Sequence, residues 1–149
     1  MSGESASRPA SLAALFDAGL DAVRVSLSSA HPELYAAYYR PVGYGLADVE
    51  DSLALARERQ GYLALNLLIL PGVTDRGGEV ELLCALIRRH RVDQVQARSL
   101  CIDSDSYVEL ARGRGAGGEP IGVRSMLARF RREAPWLSIG NFARARGER

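Results

Sequence analysis

The sequence predicts an α/β fold built on a parallel sheet. Two observations carry that prediction: apolar runs at 23–27, 62–70 and 94–100, and amphipathic helical patterns in the intervals between them. Runs that start at residues 23, 62 and 94 leave room for a crossover helix each time, since a strand, helix, strand unit takes roughly 30 or more residues. A closed eight-stranded barrel takes about 250 residues, so three strands make an open arc, or part of a barrel whose remainder is another segment.

The elements follow in order. A helix over 11–18 ends at Gly19 and feeds the strand at 23–27. His31 and Pro32 mark a further helix start, after which Tyr35, Tyr38 and Tyr39 recur at helical spacing and are read mainly as packing residues. Over 46–60, Leu46, Val49, Leu53 and Ala56 form one helical stripe, and Gly61 stands where a C-cap would end it. Over 76–90, Val80, Leu83 and Ile87 repeat the stripe. Thr74 or Asp75 is expected to cap its start, and Arg88, Arg89 and His90 suit the negative end of its dipole. The last helix, 122–134, carries Val123, Met126, Leu127 and Phe130 on one face and stops at Pro135; residues 136–139 form a short final strand.

Composition narrows the function classes. With 47% apolar residues in 149, one continuous core is expected, framed by a flexible start at 1–10 and a flexible tail at 143–149 around a domain spanning 11–142. The formal net charge of +1 argues against a field that would drive binding to nucleic acid or anionic lipid. The seven arginines from Arg124 to Arg149 outnumber Glu133 and Glu148 and read as a solvated face, with RNA or an acidic partner as the lesser reading. All 19 basic residues are arginine, which excludes a Schiff-base lysine, a pyridoxal phosphate anchor and a P-loop lysine within this sequence. No apolar run approaches the roughly 18 residues that span a bilayer, and the opening lacks the blocks of a signal peptide, so a cytoplasmic protein with no membrane partner is expected. Cys84 and Cys101 are too few for a disulfide framework or a four-cysteine metal site.

Alternation within the strands points to a site. Arg24, Ser26 and Ser28 share one face and Val23, Val25 and Leu27 the other; Gln94, Gln96 and Arg98 likewise oppose Val95 and Ala97. Parallel strands are ordinarily apolar on both faces, so one polar face suggests a lumen filled by ligand and water, with a solvent-facing sheet edge as the plainer reading. Ligands sit at the carboxyl ends of parallel strands, here the turns near 26–30, 70–75 and 98–103. Serine hydroxyls suit a ribose, Gly72 permits close backbone approach and Arg98 suits a carboxylate. The glycine-rich run at 113–118 follows no strand and is read as a flexible loop.

The run ALNLLILPGVTDRGGE at 64–79 resembles the fifth-strand segment of radical S-adenosylmethionine (SAM) enzymes, and VRVSLSS at 23–29 resembles the preceding strand. A longer resemblance is to an uncharacterised family of that superfamily. It rests on Tyr38, Tyr39, Arg40 and Pro41 after the first strand, on Gln96, Arg98, Ile102, Asp103 and Tyr107 near the third, and on Ile121, Gly122 and Pro135 toward the end. It covers roughly residues 12–142. The resemblance implies the carboxy-terminal, parallel-strand half of a partial TIM-type (β/α)6 barrel. It implies SAM as cofactor, held by Ser26, Ser28, Asn66, Leu70, Pro71, Gly72 and Arg98. Tyr39, Arg40, Asp103 and Tyr107 would contact a small-molecule or peptide substrate. In the complete enzyme a reduced [4Fe-4S] cluster would cleave SAM to methionine and a 5′-deoxyadenosyl radical that abstracts hydrogen from substrate.

The family's CxxxCxxC loop is absent from this sequence. The expectation is therefore that the cluster belongs to a missing amino-terminal half or a complementing subunit, that no residue here is a metal ligand, and that the chain alone is inactive. Cys84 is read as a core residue and Cys101 as a lesser candidate for touching substrate. His31 is read as a surface residue. Two rivals stand beside this reading: a non-catalytic α/β binding or assembly module, and an unrelated lysine-free barrel enzyme using Asp75 or Asp103 as base.

Overall fold

The computed structural model describes residues 8–100 and 103–140. Among them, helices and strands run α1 (Arg8–Asp17), β1 (Ala22–Leu27), α2 (Pro32–Tyr39), α3 (Leu46–Glu58), β2 (Tyr62–Ile69), α4 (Gly77–His90), β3 (Gln94–Ser99), α5 (Ser104–Ala111), α6 (Val123–Glu133) and β4 (Ser138–Ile139). The strands form one parallel sheet in sequential order, β1-β2-β3-β4. Sequential order joined by crossovers of a single hand places every crossover on the same side of the sheet, unlike a doubly wound sheet, whose reversed order covers both sides.

That topology matches the alternation. Pairing of Val25 with Leu65 and Leu65 with Val95, and of Leu27 with Leu67 and Leu67 with Ala97, aligns the apolar side chains on one face. There they pack with Leu53 and Ala56 of α3, Val80, Leu83, Cys84 and Ile87 of α4, and Met126 and Phe130 of α6 in one continuous core. Each fully buried side chain of leucine or phenylalanine size contributes about 1.5–3 kcal/mol, so this face holds the fold together. The opposite rows are Arg24 with Ala64 and Gln94, Ser26 with Asn66 and Gln96, and Leu68 with Arg98. Arg24, Ser26 and Arg98 are exposed on that side.

The amino-terminal ends of the strands are closed by polar contacts. Asp93 accepts from the backbone N–H of Leu63 at 2.8 Å and from Arg57 at 2.6 Å, while the Trp136 indole donates to the Val92 carbonyl at 2.9 Å beneath the Arg91 guanidinium. At the other end, Asp48 accepts from the Gly45 N–H at 2.8 Å and seats the first turn of α3.

Three local expectations change. Helix α5 adds to the alternating pattern, and it packs against α2, which starts at Pro32 as expected, over the carboxyl ends of the strands through Leu34, Val73, Tyr107 and Ala111. Helix α5 is short, so its start rests on Asp103, whose carboxylate accepts from the Ser106 N–H at 3.2 Å and the Ser106 hydroxyl at 2.9 Å. Helix α4 is preceded by Arg76 in the N-cap position, with neither Thr74 nor Asp75 as its cap. Those two residues serve the turn before it. Finally, the glycine-rich run is seated on the start of α4: Gly77 N–H donates to Glu119 O and Gly78 N–H to Gly117 O, both at 3.0 Å, and Arg76 bridges to Pro120. An added Cβ on Gly78 would meet the Ala116 carbonyl oxygen at 2.6 Å, so glycine is what permits that approach. Two of the first-turn amides of the helix, those of Gly77 and Gly78, are thereby answered by loop carbonyls.

Candidate functional site

The chemistry-bearing residues gather on the open face and at the carboxyl ends of the strands. Asn66 lies at the centre of the face in β2. Its Nδ2 donates to the Ser26 hydroxyl at 3.2 Å, and its Oδ1 is buried without a hydrogen-bond partner among the described residues. Arg98, two residues beyond Gln96 in β3, stands exposed on the same side beside Leu68. Alternation put Ser26 and Arg98 on the polar faces of their strands and the resemblance named Asn66; the register of the sheet brings the three onto one side.

Ser28 is deeper. It is 1% exposed, its Oγ lacks a partner, and its carbonyl accepts from the Tyr107 hydroxyl at 3.4 Å. Tyr107 belongs to a cluster of four tyrosine rings: Tyr35 is tilted against Tyr39 and Tyr38 edge-on to it, each at 4.7 Å between centroids, and Tyr38 is edge-on to Tyr107 at 5.5 Å. Burial, reinforced by the neighbouring phenols, holds Tyr39 well above the ordinary tyrosine range. Burial likewise pushes Tyr107 up to about 12. Tyr107 is fully buried, which makes it a prop for Ser28 and Tyr38. Arg40 ends α2 in the left-handed conformation at φ 47° with its side chain exposed, and Asp103 is committed to capping α5. Cys101 and Ile102 lie outside the described residues.

The turn after β2 is internally satisfied. Gly72, at φ 91°, donates its N–H to Asp75 Oδ1 at 2.6 Å; Leu70 N–H donates to Thr74 Oγ1 at 3.0 Å; and the Leu70 carbonyl accepts from the Val73 and Thr74 amides. The Gly72 carbonyl accepts from Arg76 Nε at 2.9 Å. A ligand beside Leu70, Pro71 and Gly72 would therefore meet the Pro71 ring and the outside of the turn, because both amides are already committed. Asp75 Oδ2 also accepts from the Gly122 N–H at 2.9 Å, tying the turn to the start of α6. That explains a buried aspartate without assigning it a role as base.

Sequence reasoning did not single out Ser29 and Glu79. Glu79 is 2% exposed; its Oε2 accepts from the Ser29 hydroxyl at 2.8 Å and its Oε1 from the Ala116 N–H at 3.4 Å. Ser29 Oγ in turn accepts from the His31 N–H at 2.9 Å. This node joins the end of β1, the start of α4 and the glycine-rich loop. The available signal was a glutamate immediately before Val80 on an apolar stripe.

Among the described residues no group of three or more His, Cys, Asp and Glu side chains is placed to hold a metal ion, and no helix is long and apolar enough to cross a membrane. Cys84 lies in the helix-covered core, where burial, then the nearby Glu133 carboxylate, pushes its thiol up to about 11. A [4Fe-4S] cluster does not fit these residues, because three thiolates, one on each of three irons, are needed to leave the fourth iron open, and Cys84 is the one cysteine among the described residues. On the polar face, Asn66 Oδ1 is an acceptor of the kind a ribose hydroxyl can donate to, and the exposed Arg98 is a donor of the kind a carboxylate can accept from, the groups that SAM would require there. No protein-family model and no curated protein matches the chain.

Proposed function

We propose that the chain forms one wall of a radical SAM enzyme, the parallel-strand half of a partial (β/α)6 barrel, with the cluster held by thiolates from another segment or subunit. The observation that carries this reading is the polar sheet face, exposed at Arg24, Ser26 and Arg98 and buried at Ala64, Gln94 and Gln96, where Asn66 donates to Ser26 and keeps a buried acceptor without a partner among the described residues. A buried, unsatisfied carbonyl oxygen costs about 1–3 kcal/mol, and a ligand hydroxyl would remove that cost. When bound beside a reduced cluster, SAM supplies hydrogen-atom abstraction from substrate. This chain's contribution is placement: Asn66 and Ser26 orient ribose hydroxyls, Arg98 takes a carboxylate, and the Tyr38 and Tyr39 rings with exposed Arg40 border the substrate side. Ser28, beneath Tyr39, sets the depth of the floor.

A second reading, a binding or assembly module without the radical reaction, is favoured by the turn after β2, which commits its amides to Thr74 and Asp75. Calorimetry with SAM tests the first reading, using the full chain and its complex with a co-expressed CxxxCxxC-bearing half. Saturable binding should be weakened about fivefold to tenfold by Asn66→Ala and by Ser26→Ala, the equivalent of roughly 1 kcal/mol for each lost neutral hydrogen bond, and left unchanged by Cys84→Ala. Affinity unaltered in both polar variants would discard the assignment.

A further inference from the structure

We infer that the polar face binds a doubly anionic ligand, clamped by Arg24 and Arg98 on either side of Asn66. The inference rests on the reading of this face as a ligand site and gives Asn66 and Arg98 a second occupant that competes with SAM. The register supplies the geometry. Arg24 shares its row with Ala64, Asn66 lies one strand over and two residues on, and Arg98 lies one further strand over and two further residues on. With strands ~4.8 Å apart and a rise of ~3.3 Å per residue, the Asn66 Cα stands about 8 Å from the Cα of each arginine. The three residues thus form a diagonal with Asn66 at its midpoint, and two long side chains can fold inward from its ends.

Charge supplies the second part. Arg57, Arg59, Arg88, Arg89, Arg112 and Arg129 each meet a carboxylate, whereas neither Arg24 nor Arg98 has an ion-pair partner among the described residues, although both are exposed. No strand position on this face carries an aspartate or glutamate: besides the two arginines, its rows hold Ser26, Tyr62, Ala64, Asn66, Leu68, Gln94 and Gln96. A sheet face with two guanidiniums and no counter-charge raises the local potential for anions. Each planar fork accepts one carboxylate or phosphate through paired hydrogen bonds. Two forks are too few for a polyanion, whose affinity grows with the number of phosphates neutralised. The ligand therefore has two oxyanion groups, one at each arginine, flanking Asn66.

The test is NMR on the 15N-labelled full chain, following the arginine Nε–H signals and the Asn66 side-chain amide during titration with succinate in one series and pyrophosphate in another. Saturable, joint shifts of Arg24, Arg98 and Asn66 are expected with one of the two anions, and which one distinguishes a dicarboxylate from a phosphate ligand. Either Arg24→Gln or Arg98→Gln should weaken that binding at least tenfold, whereas Arg131→Gln, at an exposed position on α6, should not. Equal shifts at Arg131, or full affinity in Arg24→Gln, would overturn the clamp. Saturable SAM binding with no response to either anion would overturn the clamp while leaving the proposed function standing. A clamp that responds in a chain that binds no SAM would remove the proposed function and keep the anion site.

Discussion

Alanine at Gly78 is a sharp probe of how the glycine-rich loop is held, because the sign of its effect depends on whether that loop can move. Built on the backbone, the new Cβ would stand 2.6 Å from the Ala116 carbonyl oxygen, 2.7 Å from its Cβ and 2.8 Å from its carbonyl carbon. Two of those three are backbone atoms, and the segment carrying them is tied down by the 3.0 Å hydrogen bonds from Gly77 and Gly78. Overpacking of this kind costs about 1–3 kcal/mol, against which alanine gains up to ~1 kcal/mol over glycine inside a helix. A net loss of about 1–2 kcal/mol is expected for Gly78→Ala. Gly77→Ala is the internal control, since its Cβ would approach nothing closer than the Glu119 carbonyl at 3.9 Å, an ordinary contact. It should be neutral or stabilising by up to ~1 kcal/mol. Urea denaturation followed by circular dichroism reads both as midpoint shifts of opposite direction at constant slope. If Gly78→Ala proved as stable as Gly77→Ala, the loop would not be seated on α4, and the support it gives Glu79 and Ser29 would fall with it.

Further outcomes follow from buried groups. Cys84 should resist alkylation in the native chain at pH 8 and react only on unfolding, as peptide mapping after iodoacetamide would report, because burial and Glu133 hold its thiol at about 11. The folded-state values of Tyr39 and Tyr107 lie above the unfolded value near 10, so the folded chain keeps those protons longer. Stability should then be unaffected by these groups below about pH 10 and fall above it; stability that holds constant from pH 9 to 11.5 in urea titrations would contradict that assignment. Glu133 shows the opposite sign. Its hydrogen bond from Arg129 lowers its pKa, so its stabilising contribution is present above the ordinary glutamate range and is lost as pH falls through the folded value. Glu133→Gln should flatten that acid limb. Anaerobic reconstitution of the chain alone, read by iron and sulfide analysis, should give no stoichiometric [4Fe-4S] cluster; a full cluster would show that its cysteines suffice.

Much of the fold was legible in the residues because it follows from local periodicity. The strands at 62–70 and 94–100 and the helical stripes through Leu53 and Leu83 rest on spacing that any partner surface would reward, and they stand in the structure within a residue or two. The division of Val25 from Ser26 and of Val95 from Gln96 into opposite faces is equally local, since successive side chains in a strand must point opposite ways. Helix α5 was less legible: eight residues give too few turns for a periodic signal, and its Asp103 cap was read as a substrate contact.

By itself, the sequence determined the class of fold, the crossover helices, the two-faced strands and the lack of lysine chemistry, all of which depend on residue type and short-range spacing. Tertiary structure alone decided the roles of residues whose partners lie far along the chain. Glu79 is tied to Ser29 across 50 positions, and Asp75 to Gly122 across 47. Thr74 and Asp75 could equally have capped α4 or closed the turn before it; in the structure they close the turn, while the carbonyls of Gly117 and Glu119 take the Gly78 and Gly77 amides. The same holds for the diagonal from Arg24 through Asn66 to Arg98. Alternation sets which way each side chain points, but only strand order and register, fixed by packing of the apolar face, bring the three within reach of one ligand.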